Sequence, residues 1–208
     1  MRGPPHRGPP DRVLRFALKP IVFIALTIPL AYWGLQVYYS GQGLPNALGA
    51  DAADRLVEAL GSWTLRFLLL ALALSTVARR LRLPWIVRFR RMVGVFAMTY
   101  ALTHFSVYLV FLAGGIEAAI EDIAKRPHIT VSFPALLMLI PLAVTSTRGW
   151  QRRLGRNWRR LHTLIYPAAI LAMVHFIWLS RSDFTEPVIY ASILAVLLLE
   201  RLLRRISP

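Results

Sequence analysis

The chain of 208 residues is 56% apolar and 17% charged, with a formal net charge of +15 and no cysteine. Its mean hydropathy of +0.52 is typical of a protein with several membrane spans and excludes an ordinary soluble domain. The lack of cysteine excludes disulfides, iron–sulfur clusters, thiolate-ligated haem and cysteine-based zinc sites, so histidine, carboxylate or thioether must hold any metal. The positive charge does not indicate nucleic-acid binding, because the arginines lie between apolar stretches that are too long for a DNA-binding fold.

Six apolar segments approach the length of about 20 residues that a helix needs to cross a membrane. In chain order they are residues 20–39, 62–78, 92–116, 129–147, 161–179 and 187–199. The second segment contains Arg66 and the sixth is short, whereas the other four carry no formal charge. The sequence therefore predicts an all-α integral membrane protein with a six-transmembrane-helix bundle in residues 20–204. Residues 1–19 are predicted to be a flexible basic tail and residues 205–208 a second, short tail.

The connections between these segments alternate in charge. Basic residues crowd the first tail, the stretches RRLRLPWIVRFRR and RGWQRRLGRNWRR, and the terminal ERLLRRISP. The intervening connections are acidic, with Asp51, Asp54, Glu58, Glu117, Glu121, Asp122, Asp183 and Glu186. By the positive-inside rule, both termini are predicted to be cytoplasmic and the acidic connections to lie on the opposite side.

Three histidines lie in the apolar segments: His104 in the third, and His162 and His175 in the fifth. An imidazole in hydrocarbon needs a partner, and a metal is the commonest one. His175 follows His162 at a helical distance of about 20 Å, and His104 is predicted to lie at a depth close to that of His175. Two imidazoles from opposite helices can ligate a haem iron on both faces. Since such ligation leaves no open position for a substrate, it favours electron transfer.

The role of His162 is less determined. In an ideal helix, the rotation of about 100° per residue leaves His162 and His175 off a common stripe, and a kink at Pro167 between them would change the local winding. The cytoplasmic end of the third segment has arginines and Met92 in place of a second histidine. His162 can therefore bind a haem alone, share one with Met92, alternate with another partner, or cap an interfacial turn.

Most arginines are best explained as topology determinants and contacts to lipid headgroups. Four lie at depths from which they can reach haem propionates: Arg66, Arg79, Arg91 and Arg159. For Arg66, which interrupts an apolar segment, the simpler explanation is that its side chain extends to the membrane interface. His6 in the first tail and His128 in an outer loop are expected to be solvated.

The runs RRLGRNWRRLHTLIYPAAILAMVHFIWL, RPHITVSFPALLMLIPLAVTSTRGW, GSWTLRFLLLALAL and RMVGVFAMTYALTHFSVY resemble those of the haem-binding membrane subunits of bacterial protein-methionine-sulfoxide reductase systems. These subunits form a family within the wider ferric-reductase-like transmembrane group, and the similarity covers residues 20–201. The sequence departs from the family pattern at His128 and Ser132, where Tyr and Gly are expected.

The resemblance implies one or two haem b groups in a six-helix bundle of the bacterial inner membrane, with His104, His162 and His175 as ligands. It implies electrons that pass from the quinone pool to a periplasmic molybdopterin-containing methionine sulfoxide reductase, which repairs oxidised proteins. FMN as a second cofactor and a cytoplasmic flavin reductase as a second donor are implied by the family alone.

The predicted function is thus that of a haem b electron-transfer subunit, with the substrate-reducing chemistry in the partner. The chain has no Gly-rich phosphate fingerprint, so we expect its electrons to come from a quinol or from a separate donor protein on the basic cytoplasmic face. A ferric reductase or a quinol-linked oxidase is the alternative within redox chemistry. A transporter or an assembly scaffold with structural histidines is the alternative outside it; membrane lipids, and not nucleic acid, are the expected surroundings.

Overall fold

A computed structural model describes residues 8–180 and 183–206, and all regular elements in these ranges are helical. They are α1 (Asp11–Gly41), α2 (Ala52–Arg80), α3 (Pro84–Leu112), α4 (Ile116–Lys125), α5 (Pro127–Val144), α6 (Arg148–Leu154), α7 (Arg156–Leu179) and α8 (Thr185–Ile206). By length and composition, α1, α2, α3, α5 and α7 can each cross a membrane. The all-α multi-pass membrane fold is therefore confirmed. The 22-residue α8 is not among these five helices, so the sixth span and the cytoplasmic termini stay predictions.

The central helix of the bundle is α2. Within its apolar stretch 56% of the residues are buried, compared with 17% to 28% in the other four candidate spans. It packs along α3 and also contacts α1, α7 and α8. Leu60, Leu65, Leu68 and Leu72 are almost fully buried, and their spacing of three to five residues keeps them near one face of the helix. The helices α1, α3, α7 and α8 are thus arranged around α2.

A second close pair is formed by α5 and α7, which pack along each other. Near the N-terminal end of α5, the carbonyl of His128 contacts His175. Just beyond its C-terminal end, Thr145 contacts His162. The two helices are therefore antiparallel, and each of the two histidines of α7 contacts one end of α5.

The first helix begins earlier than the sequence suggested. Residues 11–19, which were assigned to the flexible tail, form the first turns of α1, with residues 14–18 wound as a π-helix. Leu14 in this stretch is buried, and Asp11 forms an ion pair of 2.5 Å with Arg88 of α3. These two contacts hold the basic segment against the bundle, which its positive charge alone did not predict. Residues 1–7, including His6, lie outside the described ranges.

The winding of α7 changes at His162–Leu164, which forms one 3-10 turn. The α-helix resumes at Ile165, and Pro167 is the third residue of this stretch. A proline inside a helix removes the hydrogen bond to the carbonyl four residues earlier and crowds that carbonyl. For Pro167 this carbonyl belongs to Thr163, which lies in the 3-10 turn. The change of winding expected at Pro167 between His162 and His175 is therefore present.

Candidate functional site

The rings of His104 on α3 and His175 on α7 lie next to each other inside the bundle. Their centroids are 6.5 Å apart and their planes are inclined by 78°. The structure thus brings together the two histidines that were predicted to share one depth. We call the end of the bundle that holds this pair the outer end, and the end that holds His162 the inner end.

A main-chain carbonyl fixes each ring of the pair. The Nδ1 atom of His104 lies 2.8 Å from the carbonyl oxygen of Val57, and Nδ1 of His175 lies 2.8 Å from that of His128. A carbonyl oxygen only accepts, so each Nδ1 must carry the hydrogen and donate it. The neutral rings then keep their lone pairs on Nε2, which is the form in which a histidine ligates a metal while its other nitrogen is held by a second group.

Gly61 on α2 makes room for the ring of His104. A Cβ atom at this position would lie 3.0 Å from Cε1 of the imidazole, which is closer than carbon atoms normally pack. Gly61 lies one helical turn after Val57, so α2 supplies both the carbonyl that holds the ring and the space that it occupies.

The separation of the rings fits a pair of axial ligands. Two histidine nitrogens about 2 Å from one metal ion on opposite sides, with ring centres roughly 1 Å behind them, place the centroids about 6 Å apart. The observed 6.5 Å is close to this value. Within residues 8–180 and 183–206, no group of three or more His, Cys, Asp or Glu side chains is placed to hold a metal ion. Two axial histidines without further protein ligands suit a metal whose other ligands come from a planar macrocycle, as in haem.

His162 lies apart from this pair. Its ring stacks on Trp158, with centroids 4.0 Å apart and planes inclined by 28°. Its Nε2 atom lies 3.1 Å from the hydroxyl of Thr145, and that hydroxyl donates to the carbonyl of Pro141 at 2.6 Å. Since Thr145 has one hydroxyl hydrogen, its oxygen accepts from Nε2 of His162. In this arrangement Nδ1, and not Nε2, is the nitrogen of His162 that remains for a ligand.

The candidate arginine Arg66 has partners within the protein. Its Nε atom donates to the hydroxyl of Tyr190 at 2.8 Å, and Nη2 lies 3.2 Å from the carboxylate of Glu186. The guanidinium also lies 4.9 Å from the ring centroid of Trp63. These contacts join α2 to the first turns of α8, and they account for the charge within an apolar helix.

The other three candidate arginines lie elsewhere. Arg79 is 3.7 Å from the carboxylate of Glu200. Arg91 is exposed and borders an open groove of about 300 Å³ between α1 and α3, whereas Arg159 is exposed near the start of α7. Contacts of Arg66, Arg79, Arg91 or Arg159 with haem propionates remain predictions.

Sequence reasoning missed three contributors to the outer site: Val57, Gly61 and the backbone of His128. His128 was expected in a solvated loop, but it is the second residue of α5, and its ring stacks on His175 at 6.2 Å. Pro127 is the signal that was overlooked, because proline favours the first position of a helix. No comparable signal marks Val57 or Gly61.

A family model described as ferric reductase like transmembrane component matches residues 60–173, which include His104 and His162. The helical fold and this match define a transmembrane protein of the ferric-reductase-like class. No solved structure matches the chain significantly.

Curated proteins similar to this chain have the name protein-methionine-sulfoxide reductase heme-binding subunit MsrQ. The relative from Xanthomonas euvesicatoria pv. vesicatoria is 48% identical over 192 residues, which cover 92% of this chain and 88% of the relative. The relative from Xanthomonas axonopodis pv. citri is 46% identical with the same coverage, and that from Herminiimonas arsenicoxydans is 39% identical over 94% of this chain and 88% of its own. The chain belongs to the MsrQ family.

Proposed function

We propose that the protein is a haem b electron-transfer subunit of the bacterial inner membrane. The observation that carries this proposal is the His104–His175 pair, with both Nδ1 atoms held by main-chain carbonyls and the rings 6.5 Å apart. The names of the relatives, which describe haem-binding subunits, support the same assignment.

The residues of the outer site hold and orient the cofactor. Haem b supplies one-electron oxidation and reduction of its iron. Nε2 of His104 and Nε2 of His175 would hold the haem iron between them, which would leave no position on the iron for a substrate or dioxygen. The carbonyls of Val57 and His128 keep both rings in the ligating tautomer in either oxidation state. This arrangement suits electron transfer and disfavours the alternatives of a ferric reductase or an oxidase.

His162 provides the inner end of the electron path. We propose that it ligates a second haem about 20 Å from His175 along α7. Electrons would then cross the membrane in two shorter transfer steps. The donors are quinol in the membrane and, through FMN, a cytoplasmic flavin reductase at the basic surface.

The acceptor is a partner protein. We propose that electrons leave from the outer site to a periplasmic molybdopterin-containing methionine sulfoxide reductase that docks on the acidic connections. The reduction of methionine sulfoxide takes place in that partner, and this chain contributes the route across the membrane.

A reduced-minus-oxidised absorption spectrum of the detergent-purified protein, with haem measured per chain, tests the proposal. We expect a low-spin b-type spectrum for the wild-type protein. In His104→Ala and His175→Ala, the contribution of the outer haem to this spectrum should disappear. His128→Phe is the matched control, because its ring is changed while its carbonyl remains, and it should keep the spectrum. A wild-type protein without haem, produced under adequate haem supply, would contradict the proposal. Rapid reoxidation by dioxygen through an open iron position would favour the oxidase alternative.

A further inference from the structure

Arg201, in the last third of α8, places its guanidinium inside the bundle. Its Nη2 atom donates to the carbonyl of Leu72 on α2 at 2.6 Å, and its central carbon lies 5.1 Å from the ring centroid of Tyr166 on α7. Its Nη1 atom is buried and has no hydrogen-bond partner among the described residues. A buried cationic nitrogen without an acceptor raises the free energy of the folded protein. An anionic or carbonyl oxygen bound next to Nη1 would remove this cost.

The nearest carboxylate does not supply that oxygen. Glu200 is contacted through Oε1 by Arg79 and Arg80, each at 3.7 Å, and by Arg204. Its Oε2 atom is buried without a partner of its own and does not pair with Nη1 of Arg201. One carboxylate thus faces several guanidinium groups, and the local charge favours a further anion.

A second unpartnered group lies on α2 beside the same region. The hydroxyl of Ser75 is buried and has no partner among the described residues. Ser75 is one helical turn from Leu72, whose carbonyl binds Arg201. A guanidinium nitrogen and a hydroxyl, both buried and both donors, therefore belong to the same inner part of the bundle.

This part of the bundle adjoins His162. Tyr166, on which Arg201 lies, follows His162 by four residues and therefore lies about one turn further along α7. Groups from α2, α7 and α8 thus lie together at the inner end.

We propose that Arg201 binds an anionic oxygen of a redox cofactor that lies next to His162. The inference rests on the proposed function, and Arg201 is not one of the four arginines named above as candidate propionate partners. The carboxylate of a haem propionate and the phosphate of FMN carry the same chemistry, since each accepts charge-assisted hydrogen bonds from a guanidinium. The two sources differ in what is lost when Arg201 is replaced.

The test compares Arg201→Gln with Arg204→Gln, which removes the same charge one turn further along α8. Haem per chain, the midpoint potential of each resolved haem and FMN per chain are measured on detergent-purified protein. If a propionate is the ligand, Arg201→Gln either loses one haem per chain or retains it with a lower midpoint potential, because removal of a positive charge favours the ferric form. The FMN content per chain is then unchanged. If the FMN phosphate is the ligand, FMN content falls severalfold and both haem midpoints remain.

The spectrum of the His104–His175 haem shows whether each variant is folded. If Arg201→Gln is not recovered in folded form, Arg201→Lys is compared in the same way. Lysine keeps the positive charge but lacks the two parallel N–H donors of arginine, so we expect a smaller change of the same kind. Wild-type haem content, midpoints and FMN content in the folded Arg201 variant would overturn the inference and assign Arg201 to packing between α2 and α8. A wild-type protein without any haem would instead overturn the proposed function.

Discussion

Gly61 and His104 are in contact across the interface of α2 and α3, and no side chain fits between them. A Cβ at Gly61 would lie 3.0 Å from Cε1 and 3.1 Å from Nδ1 of the ring. The ring cannot withdraw without loss of its hydrogen bond to Val57. The position of the His104 ring thus depends on the absence of a side chain at position 61 of the neighbouring helix.

We expect Gly61→Ala to lower haem content or to alter the low-spin spectrum of the outer site. Alanine is the better helix former by about 0.5–1 kcal/mol, so a weaker α2 cannot explain such a loss. Gly94→Ala on α3 is the control, because a Cβ there meets nothing within 4 Å. Equal haem content and equal spectra in the two variants would show that the contact has no effect on the ligand.

The hydroxyl of Tyr100 enters the hydrogen-bond ladder of α1. It accepts from the N–H of Leu30 at 2.8 Å and donates to the carbonyl of Leu26 at 2.9 Å, the two groups that an uninterrupted helix would join. Tyr100→Phe leaves both groups in apolar surroundings, and we expect it to lower the free energy of unfolding by about 2 kcal/mol. A denaturation series in detergent measures this, with Tyr32→Phe on the exposed side of α1 as control. If the two variants are equally stable, the hydroxyl is not needed in α1.

Thr145 controls the orientation of His162 through its hydroxyl. In Thr145→Val, Nε2 of His162 loses its acceptor, whereas the bond from Trp158 to the main-chain carbonyl of residue 145 remains. We expect a changed midpoint potential or electron paramagnetic resonance signal of the inner haem, with the outer haem unaltered. Thr145→Ser keeps the hydroxyl and should behave as the wild type. Indistinguishable inner-haem signals in the valine and serine variants would argue against a ligand role of His162.

The lack of cysteine allows a direct test of topology, since any introduced thiol is unique. Ala47→Cys and Phe184→Cys should react with a membrane-impermeant maleimide in intact spheroplasts. Leu81→Cys and Ile206→Cys should react only after the membrane is opened. All four positions are exposed. Labelling of Ile206→Cys from the outside would show that α8 does not cross the membrane.

The sequence predicted the depth of each residue in the membrane better than the direction in which its side chain points around the helix axis. Long uncharged runs identify spans, and a rise of about 1.5 Å per residue then placed His104 and His175 at one level. The direction around the helix axis depends on packing and local winding. The 3-10 turn at His162–Leu164 is an example, because no residue in it requires that winding.

The contacts that hold the site were invisible in the sequence for related reasons. The groups that bind Nδ1 of His104 and His175 are main-chain carbonyls, which every residue has. The role of Gly61 depends on its contact with the His104 ring, and the sequence does not show that contact. Arg201 belongs to a basic terminal stretch, where a topology role was the simplest explanation, and only packing of α8 on α2 shows that its guanidinium is buried.

The contacts at the two ends of α5 constrain the number of residues in that helix. His128 near one end holds His175, and Thr145 beyond the other holds His162. Insertion of one residue between these positions would move one contact by about 1.5 Å along the axis and rotate it by about 100°. Substitutions within α5 preserve this relation, whereas an insertion or deletion breaks it at one of the two histidines. The length of α5 must therefore match the spacing of the two histidines on α7.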